Sequence, residues 1–298
     1  MTPTTRDALV AAGLDPADVE RVVRQALAED LEGGEDVTSV ATIGSADRSV
    51  ADYVVRGAGV IAGVPVLAAT LEIGLGDEVE FRLAVADGAT VVLGDVVATV
   101  AAPTVALLTI ERTSLNIVCR LSGIATATRR WVDALAGTPA RVRDTRKTTP
   151  GLRHLEKYAV RCGGGVNHRR GLHDAVLIKD NHVAAAGGVG PALDAVYRRY
   201  PDKTMVVQVE VDSLDELDEA LAHGATQIML DNMSVDLMAE AVQRVKKVRP
   251  DVMVEASGRL SVESAAVVAR TGVDFLAVGA LTHSSPILDI ALDFRPDS

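Results

Sequence analysis

The sequence predicts an α/β protein in which a smaller N-terminal part precedes an open or incomplete (β/α) barrel. Three observations predict this fold class. Short segments of alternating polarity fill residues 49–100, as in a small antiparallel sheet with one covered face. Six short strand-like segments follow residue 139, and the later ones are almost wholly apolar, as in a parallel sheet covered on both faces. Helical segments lie between these strands, as in repeated βα units.

The chain starts with a predicted helix over residues 16–30. Val19, Val22 and Val23 recur at helical spacing, and Pro16 suits the first helical position. Asp15, just before it, is a suitable N-cap residue.

Residues 49–100 are predicted to form short strands. Asp87 and Gly88 separate two alternating segments, a pairing typical of a tight hairpin turn. Pro103 marks the end of this region.

A long helix is predicted over residues 111–136, with Gly137 as its C-cap. Gly123 lies inside it, which predicts either a kink or a close approach of another segment.

The second half of the chain alternates between strands and helices. The strands are predicted at residues 140–143, 175–178, 205–209, 227–230, 252–255 and 275–278. The clearest helices are predicted at residues 214–222, 235–248 and 262–271. Six strands fall short of the eight in a closed (β/α) barrel, so we expect the barrel to be open or incomplete.

Composition limits the function classes. The 298 residues carry a net charge of −11, which argues against a nucleic-acid-binding protein. The N-terminus has no signal-like apolar core, and the apolar stretch at residues 58–71 is too short to cross a bilayer. The distant Cys119 and Cys162 indicate neither a disulfide framework nor a zinc site. We therefore expect a cytoplasmic protein with no membrane or nucleic-acid partner.

One segment is basic, although the chain as a whole is acidic. Between Arg143 and Lys179 there are nine basic and three acidic residues, a net charge of +6, whereas the rest of the chain carries about −17. A basic helix face that pairs with acids elsewhere is one explanation. A concentrated basic pocket for a small polyanion is the other, since such a pocket raises the local concentration of its ligand.

The residues after the predicted strands are sorted by chemical type. In a (β/α) barrel these positions meet at one end of the fold. Cations come first, carboxylates next and small residues last, an order that suits a phosphorylated, metal-bound substrate. The positions are Asp144 to Lys147, Lys179 to His182, Glu210, Asp231 and Asn232, Ser257 and Gly258, and Gly279 and Ala280.

These residues belong to motifs that resemble the quinolinate phosphoribosyltransferase family over nearly the whole chain. The two longest are DTRKTTPGLR at residues 144–153 and VGALTHS at residues 278–284. Further matches are ED at 29–30, EDVT at 35–38, ERTSLN at 111–116, LSGIAT at 121–126, CGGG at 162–165, NHR at 167–169, LIKDNH at 177–182, EVD at 210–212 and LDN at 230–232.

The resemblance implies a fold and an assembly. It implies an open α/β sandwich at residues 1–116, joined by the C-terminal tail 284–298, and an incomplete α/β barrel at residues 117–283. It also implies a homodimer, or a higher multiple of it, in which Arg112 reaches into the partner's active site.

The resemblance further implies the reaction: transfer of phosphoribosyl from phosphoribosyl pyrophosphate to quinolinate with decarboxylation, giving nicotinate mononucleotide, CO2 and pyrophosphate in NAD biosynthesis. Mg²⁺ is the implied cofactor, bound mainly through the substrate pyrophosphate and through water at Glu210 and Asp231. The implied catalytic residues are Lys147, Lys179, Glu210 and Asp231. The implied substrate-binding residues are Arg112, Arg146, Lys147, His168, Arg169, Lys179, Glu210, Asp231, Ser257, Gly258, Gly279 and His283.

One position departs from the family pattern, and three other functions stay open. Arg259 follows Ser257 and Gly258 where the family often has a second glycine, so Arg259 either contacts the phosphate or faces solvent. The alternatives are a relative acting on nicotinate, a non-catalytic barrel that senses pyridine or phosphoribosyl ligands, and a barrel isomerase for a sugar phosphate. The excess of cations argues against the isomerase.

Overall fold

The computed structural model describes residues 1–76, 79–202 and 204–295, so residues 296–298 of the expected tail lie outside the described residues. The chain divides into two compact units. Unit 1 comprises Met1–Arg129, Thr148–Gly164 and Leu281–Ser298, and unit 2 comprises Arg130–Lys147 and Gly165–Ala280. This division differs from the expected boundary at residue 116, because a single helix continues through that position from Thr104 to Ala134.

Unit 1 combines helices with an antiparallel sheet. Its helices are α1 (Pro3–Ala11), α2 (Pro16–Leu31), α3 (Val37–Thr42), α4 (Val64–Leu75), most of α5 (Thr104–Ala134) and α6 (Arg153–Cys162). Its strands are β1 (Arg48–Val55), β2 (Gly59–Val60), β3 (Glu80–Leu83), β4 (Thr90–Val91), β5 (Val96–Pro103) and, at the end of the chain, β12 (Ile290–Phe294).

The four-stranded antiparallel sheet of unit 1 has the order β12-β1-β5-β3. The C-terminal strand β12 therefore pairs with the first strand, with Tyr53 opposite Leu292. Tyr53 is fully buried in the apolar core of this unit, and its hydroxyl group shares a 2.8 Å hydrogen bond with Ser114. The expected N-cap is confirmed, since the Asp15 carboxylate accepts a 2.9 Å hydrogen bond from the Ala17 N–H.

Two expectations for residues 49–100 are wrong. The segment contains a helix, α4, which begins after Gly63 (φ 101°) with Pro65 in its first turn and buries eight of its twelve residues. Asp87 and Gly88 do not join paired strands, because β3 pairs with β5 and β4 pairs with β2. The Asp87 carboxylate instead accepts a hydrogen bond from the N–H of Val64, the first residue of α4.

Helix α5 begins directly after β5, seven residues before the predicted start. Gly123 permits a close approach, since a Cβ atom there would lie 2.2 Å from the Pro286 carbonyl oxygen. Gly137 (φ 81°) lies in the turn beyond the last residue of α5, Ala134.

Unit 2 contains a six-stranded parallel sheet. Its strands are β6 (Arg141–Arg143), β7 (Val176–Ile178), β8 (Val207–Val211), β9 (Gln227–Asp231), β10 (Met253–Ser257) and β11 (Phe275–Ala277). The order β6-β11-β10-β9-β8-β7 leaves β6 and β7 as edges, so the sheet is open, as predicted. Val166 forms a single parallel bridge with Arg143 at the β6 edge.

The helices of unit 2 lie between its strands. They are α7 (Asp180–Ala186), α8 (Val189–Arg199), α9 (Leu214–Ala222), α10 (Val235–Val248) and α11 (Val262–Ala269), and α12 (Ala280–His283) follows β11. Helices α9 and α10 have the predicted bounds, and α11 ends two residues earlier than predicted. Among the described helices, none combines the length and the apolar character needed to cross a bilayer.

Candidate active site

The candidate site lies at the carboxyl edge of the parallel sheet, where neighbouring strands end side by side. Asp231 is the register partner of Ser257 on β10. Glu210, on β8, is the register partner of Met229, two residues before Asp231 on β9. The order of strands in the sheet therefore places two carboxylates and a serine on three adjacent strands, as expected for a site at this edge.

Two arginines form the cationic part of the site. The pKa of Arg169 is lowered, first by partial burial and then by the positive charge of Arg146. The Arg169 guanidinium also donates a 3.1 Å hydrogen bond to the Ala175 carbonyl oxygen. Because two neighbouring like charges repel, this pair stabilises a bound anion more strongly than either arginine would alone. Lys147, next to Arg146, is exposed.

A buried aspartate holds the segment that carries His168 and Arg169. Asp144 is fully buried at the end of β6. One carboxylate oxygen accepts the His168 N–H at 2.7 Å, and the other accepts the Asn167 side-chain amide at 2.6 Å. The carboxylate of Asp174 accepts the N–H groups of Arg170 and Gly171 further along. The backbone around Arg169 is therefore fixed on both sides.

Lys179 and Glu210 form an ion pair in the structure. The Lys179 side chain is about half exposed, whereas Glu210 is mostly buried at the end of β8. Sequence reasoning assigned these residues to different substrates and did not predict their pairing. Their contact joins a cation that follows β7 to a carboxylate on β8.

Residues after β9 and β10 approach each other closely. Asn232 has a left-handed conformation (φ 53°), and its N–H donates to the Ser257 carbonyl oxygen at 3.1 Å. Gly258 (φ 118°) faces it, since a Cβ atom at this position would lie 2.6 Å from the Asn232 side-chain oxygen. The Asn232 amide also donates to Asp231 at 2.6 Å. Only glycine suits position 258 in this arrangement.

The loop after β10 borders a cavity of about 490 Å³. Arg259 lines this cavity, and its side chain is exposed. Asn232, Ser234, Ser257 and Ser264 contribute polar groups to the same cavity. Arg259, at the position where the family often has a second glycine, therefore adds a cation beside the loop.

Two expected site residues, Gly279 and His283, lie beyond the end of β11, and a third, Arg112, lies on α5. Gly279 follows β11, and the preceding Val278 N–H donates to the Arg143 carbonyl oxygen at 2.8 Å in unit 2. His283 ends α12 in unit 1, is exposed, and has its Nδ1 atom 2.6 Å from the Ser284 hydroxyl oxygen. Arg112 is exposed on α5, also in unit 1.

Sequence reasoning missed a buried polar cluster inside the parallel sheet. The Gln208 side-chain oxygen lies 2.8 Å from His168 Nε2, and Glu255 forms a 2.6 Å ion pair with Arg143. The Arg143 guanidinium carbon lies 4.2 Å from the centre of the Phe275 ring. The available signal was a buried polar residue between apolar neighbours in a strand, which applies to Gln208 in β8 and to Glu255 in β10.

The described residues contain no group of three or more His, Cys, Asp or Glu side chains arranged to hold a metal ion. Glu210 is paired with Lys179, and Asp231 accepts from Asn232. Two carboxylates on adjacent strands fit a Mg²⁺ ion that is held mainly by substrate oxygens and water, as Mg²⁺ prefers in phosphate-binding enzymes.

Comparisons with known proteins decide the family. Residues 124–293 match the model of the quinolinate phosphoribosyl transferase C-terminal domain, and residues 36–122 match the N-terminal domain model. This chain belongs to the quinolinate phosphoribosyltransferase family. The family is therefore the one that the motifs predicted.

Individual members of the family are similar over almost their whole length. The nicotinate-nucleotide pyrophosphorylase [carboxylating] of Mycobacterium leprae is 53% identical, with 91% of this chain and 95% of that protein covered. A probable enzyme of the same name from Synechocystis is 44% identical over 91% of this chain and 90% of its own length. The structure of the Francisella tularensis nicotinate-nucleotide pyrophosphorylase is 36% identical with a TM-score of 0.88, covering 95% of this chain and 98% of that one.

Proposed function

We propose that the cations after β6 and β7 bind quinolinate in this phosphoribosyltransferase, and that the carboxylates after β8 and β9 face phosphoribosyl pyrophosphate. The observation that carries the proposal is the proximity of Arg146 and Arg169, since the pKa of Arg169 is lowered first by burial and then by the positive charge of Arg146. A dicarboxylate relieves this repulsion by supplying two negative charges, one for each guanidinium group. Nicotinate supplies only one.

The proposed reaction starts with attack of the pyridine nitrogen on the ribose C1 atom. The bond from C1 to the pyrophosphate oxygen breaks, and pyrophosphate takes the electron pair. Positive charge develops on the ribose in the transition state, and Glu210 and Asp231 supply negative charge beside it. Lys147 and Lys179 offset the negative charges of the two substrates, which would otherwise repel each other.

Loss of CO2 completes the reaction. The ring nitrogen is cationic once it bears the ribose, so the electron pair left at C2 by the departing carboxylate is stabilised next to that charge. A proton then replaces CO2 at C2. The contribution of the protein is to position the two substrates and to neutralise their charges.

The phosphate of the sugar is assigned to the loops after β10 and β11. Ser257, Gly258 and Gly279 bring a hydroxyl group and backbone N–H groups to this edge of the sheet. Such groups at the start of a helix stabilise a phosphate. The exposed His283 side chain is a further candidate contact.

We propose that Glu210 and Asp231 would hold, through water, a Mg²⁺ ion bound mainly to the pyrophosphate. When bound, the ion neutralises charge on the leaving pyrophosphate. EDTA is therefore expected to abolish turnover and added Mg²⁺ to restore it. Full activity of the metal-free enzyme would contradict this assignment.

A homodimer, or a higher multiple of it, is proposed from the family resemblance, with Arg112 completing the site of the partner subunit. The exposure of Arg112 on α5 leaves its side chain available for this role. Arg112→Ala and Lys179→Ala should each be almost inactive, and mixing the two variants should restore activity at one site of each mixed dimer. Variants that exchange subunits without any recovery would contradict a shared site.

A cytoplasmic location is proposed as well. Both cysteines are free thiols, Cys119 buried and Cys162 half-buried, which suits a reducing compartment.

The experiment that tests the proposed function is a product assay with the purified chain. Quinolinate, phosphoribosyl pyrophosphate and Mg²⁺ should yield nicotinate mononucleotide, pyrophosphate and CO2 in equal amounts. Nicotinate in place of quinolinate should give little product. Turnover of nicotinate without CO2 release would favour the nicotinate-acting alternative, and binding without turnover would favour a ligand sensor.

A further inference from the structure

The His168 side chain has protein partners at both ring nitrogens. Its Nδ1 atom accepts a hydrogen bond from the Arg169 N–H at 2.7 Å. Its Nε2 atom lies 2.8 Å from the side-chain oxygen of Gln208. A backbone N–H can only donate, so Nδ1 must be the acceptor, and the proton of the neutral ring must then be on Nε2. The amide oxygen of Gln208 is the correct acceptor for that proton.

A buried ion pair lies behind this contact. The Glu255 side chain is 1% exposed, and one of its oxygens lies 3.7 Å from His168 Nε2. Its other oxygen is bound by Arg143 at 2.6 Å. Because Arg143 offsets the charge of Glu255, the carboxylate can attract the Nε2–H at this distance without requiring a second proton on the ring.

A second proton on the ring would disturb this arrangement. Protonation at Nδ1 would direct an N–H of the ring against the N–H of Arg169 and break their hydrogen bond. The neutral Nε2–H form is therefore the one that holds the Arg169 backbone. The Asp144 carboxylate holds the preceding N–H, that of His168, at 2.7 Å.

We infer that Gln208, Glu255 and Arg143 are positioning residues for Arg169, and that they act through a neutral His168. The inference rests on the proposed function, in which Arg169 binds a carboxylate of quinolinate. It gives His168 a role in addition to any contact with the substrate. The imidazole connects the interior of the sheet to the backbone of the residue that binds the substrate.

Two substitutions of His168 separate this role from direct substrate binding. The side-chain oxygen of asparagine can replace Nδ1 as an acceptor for the Arg169 N–H, whereas glutamine places its polar group near the position of Nε2. His168→Asn should therefore keep a lower KM for quinolinate than His168→Gln. The reverse order would overturn the inference, because it would show that the Nε2 position matters more for the substrate.

Gln208→Met tests the next link in the network. Methionine has a similar size and cannot accept the Nε2 proton with comparable strength. We expect the KM for quinolinate to rise about tenfold, as for the loss of one hydrogen bond, while kcat and the KM for phosphoribosyl pyrophosphate stay nearly unchanged. His223→Asn is the matched control, because His223 pairs with Asp194 at the surface and should leave all three constants unchanged. An unchanged quinolinate KM in Gln208→Met would contradict the inference.

The tautomer can be measured without turnover. In the substrate-free enzyme labelled with ¹⁵N-histidine, the His168 signals, assigned by their loss in His168→Asn, should show a neutral ring protonated at Nε2. A cationic ring or an Nδ1–H tautomer at neutral pH would overturn the inference whatever the kinetic constants of the variants. Failure of the proposed function is distinguishable, since it would appear as a wild-type enzyme that makes no nicotinate mononucleotide.

Discussion

Two buried glutamates, one in each unit, are paired with arginine in different ways. In unit 1, Glu156 is fully buried, and both of its oxygens are used. One accepts from Arg120 at 2.8 Å and from the Thr149 hydroxyl group at 2.8 Å, and the other accepts the Thr149 N–H at 3.0 Å. In unit 2, Glu255 is paired with Arg143 through one oxygen, and its other oxygen has no hydrogen-bond partner among the described residues.

The difference indicates that the buried glutamate has a different role in each unit. A buried carboxylate with all its hydrogen bonds made is fixed in place, and its network stabilises the local fold. A buried polar group without a partner costs free energy, and such groups need a reason to be retained. Glu255 lies 3.7 Å from His168, so orientation of the segment that we propose to bind the substrate supplies that reason. We therefore interpret the Glu156 network as structural and the Glu255 network as part of the site.

The largest expected effect is a loss of folding stability when the Glu156 network in unit 1 is broken. Glu156→Ala removes one partner of a buried ion pair and leaves Arg120 uncompensated, which should lower the free energy of unfolding by about 3–5 kcal/mol. Urea unfolding measures this loss. Glu240→Ala, at an exposed pair with Arg244, is the control and should have a much smaller effect. A Glu156 variant as stable as this control would remove the distinction between the two networks.

The next effect concerns catalysis in unit 2. Arg146→Ala should weaken transition-state binding by about 2–4 kcal/mol, as for the loss of a buried charged contact. The free energy of unfolding should change much less than in Glu156→Ala, because Arg146 is only half-buried. The quinolinate kcat/KM and urea unfolding together measure both changes. Arg170→Ala, at an exposed position two-thirds accessible to solvent, should keep its kcat/KM. Near-normal turnover by Arg146→Ala would contradict the pocket assignment.

The smallest effect concerns a thiol in unit 1. Burial, followed by the nearby charge of Asp87, raises the pKa of Cys162 to about 12. A raised pKa keeps the thiol protonated and neutral at pH 8, and the thiolate is the reactive form. Cys162 should therefore react with iodoacetamide much more slowly in the folded protein than after denaturation, as measured by mass spectrometry. Equal reaction rates in the folded and the denatured protein would show that the fold does not protect the Cys162 thiol.

The sequence predicted the repeating part of the fold well and the irregular part less well. Helices α9 and α10 were predicted to the residue because their apolar positions recur at helical spacing between polar caps. Helix α4 was missed because eight of its twelve residues are buried, so no polar face reveals a period. The hairpin at Asp87 was wrong because pairing between strands depends on contacts that are distant in sequence.

The candidate site, like the fold, was predicted only in part. Its residues follow strand ends, and their types could be read directly from the sequence. Their partners could not, because the Lys179–Glu210 pair and the contact of Gln208 with His168 join residues 31 and 40 positions apart. Only the order of strands in the sheet brings these side chains together.

The most direct test of the central assignment is a crystal structure of the enzyme with quinolinate bound. The account predicts that the two carboxylates lie within hydrogen-bond distance of the Arg146 and Arg169 guanidinium groups, with the His168 imidazole still accepting from the Arg169 N–H. Quinolinate bound away from both arginines would contradict it.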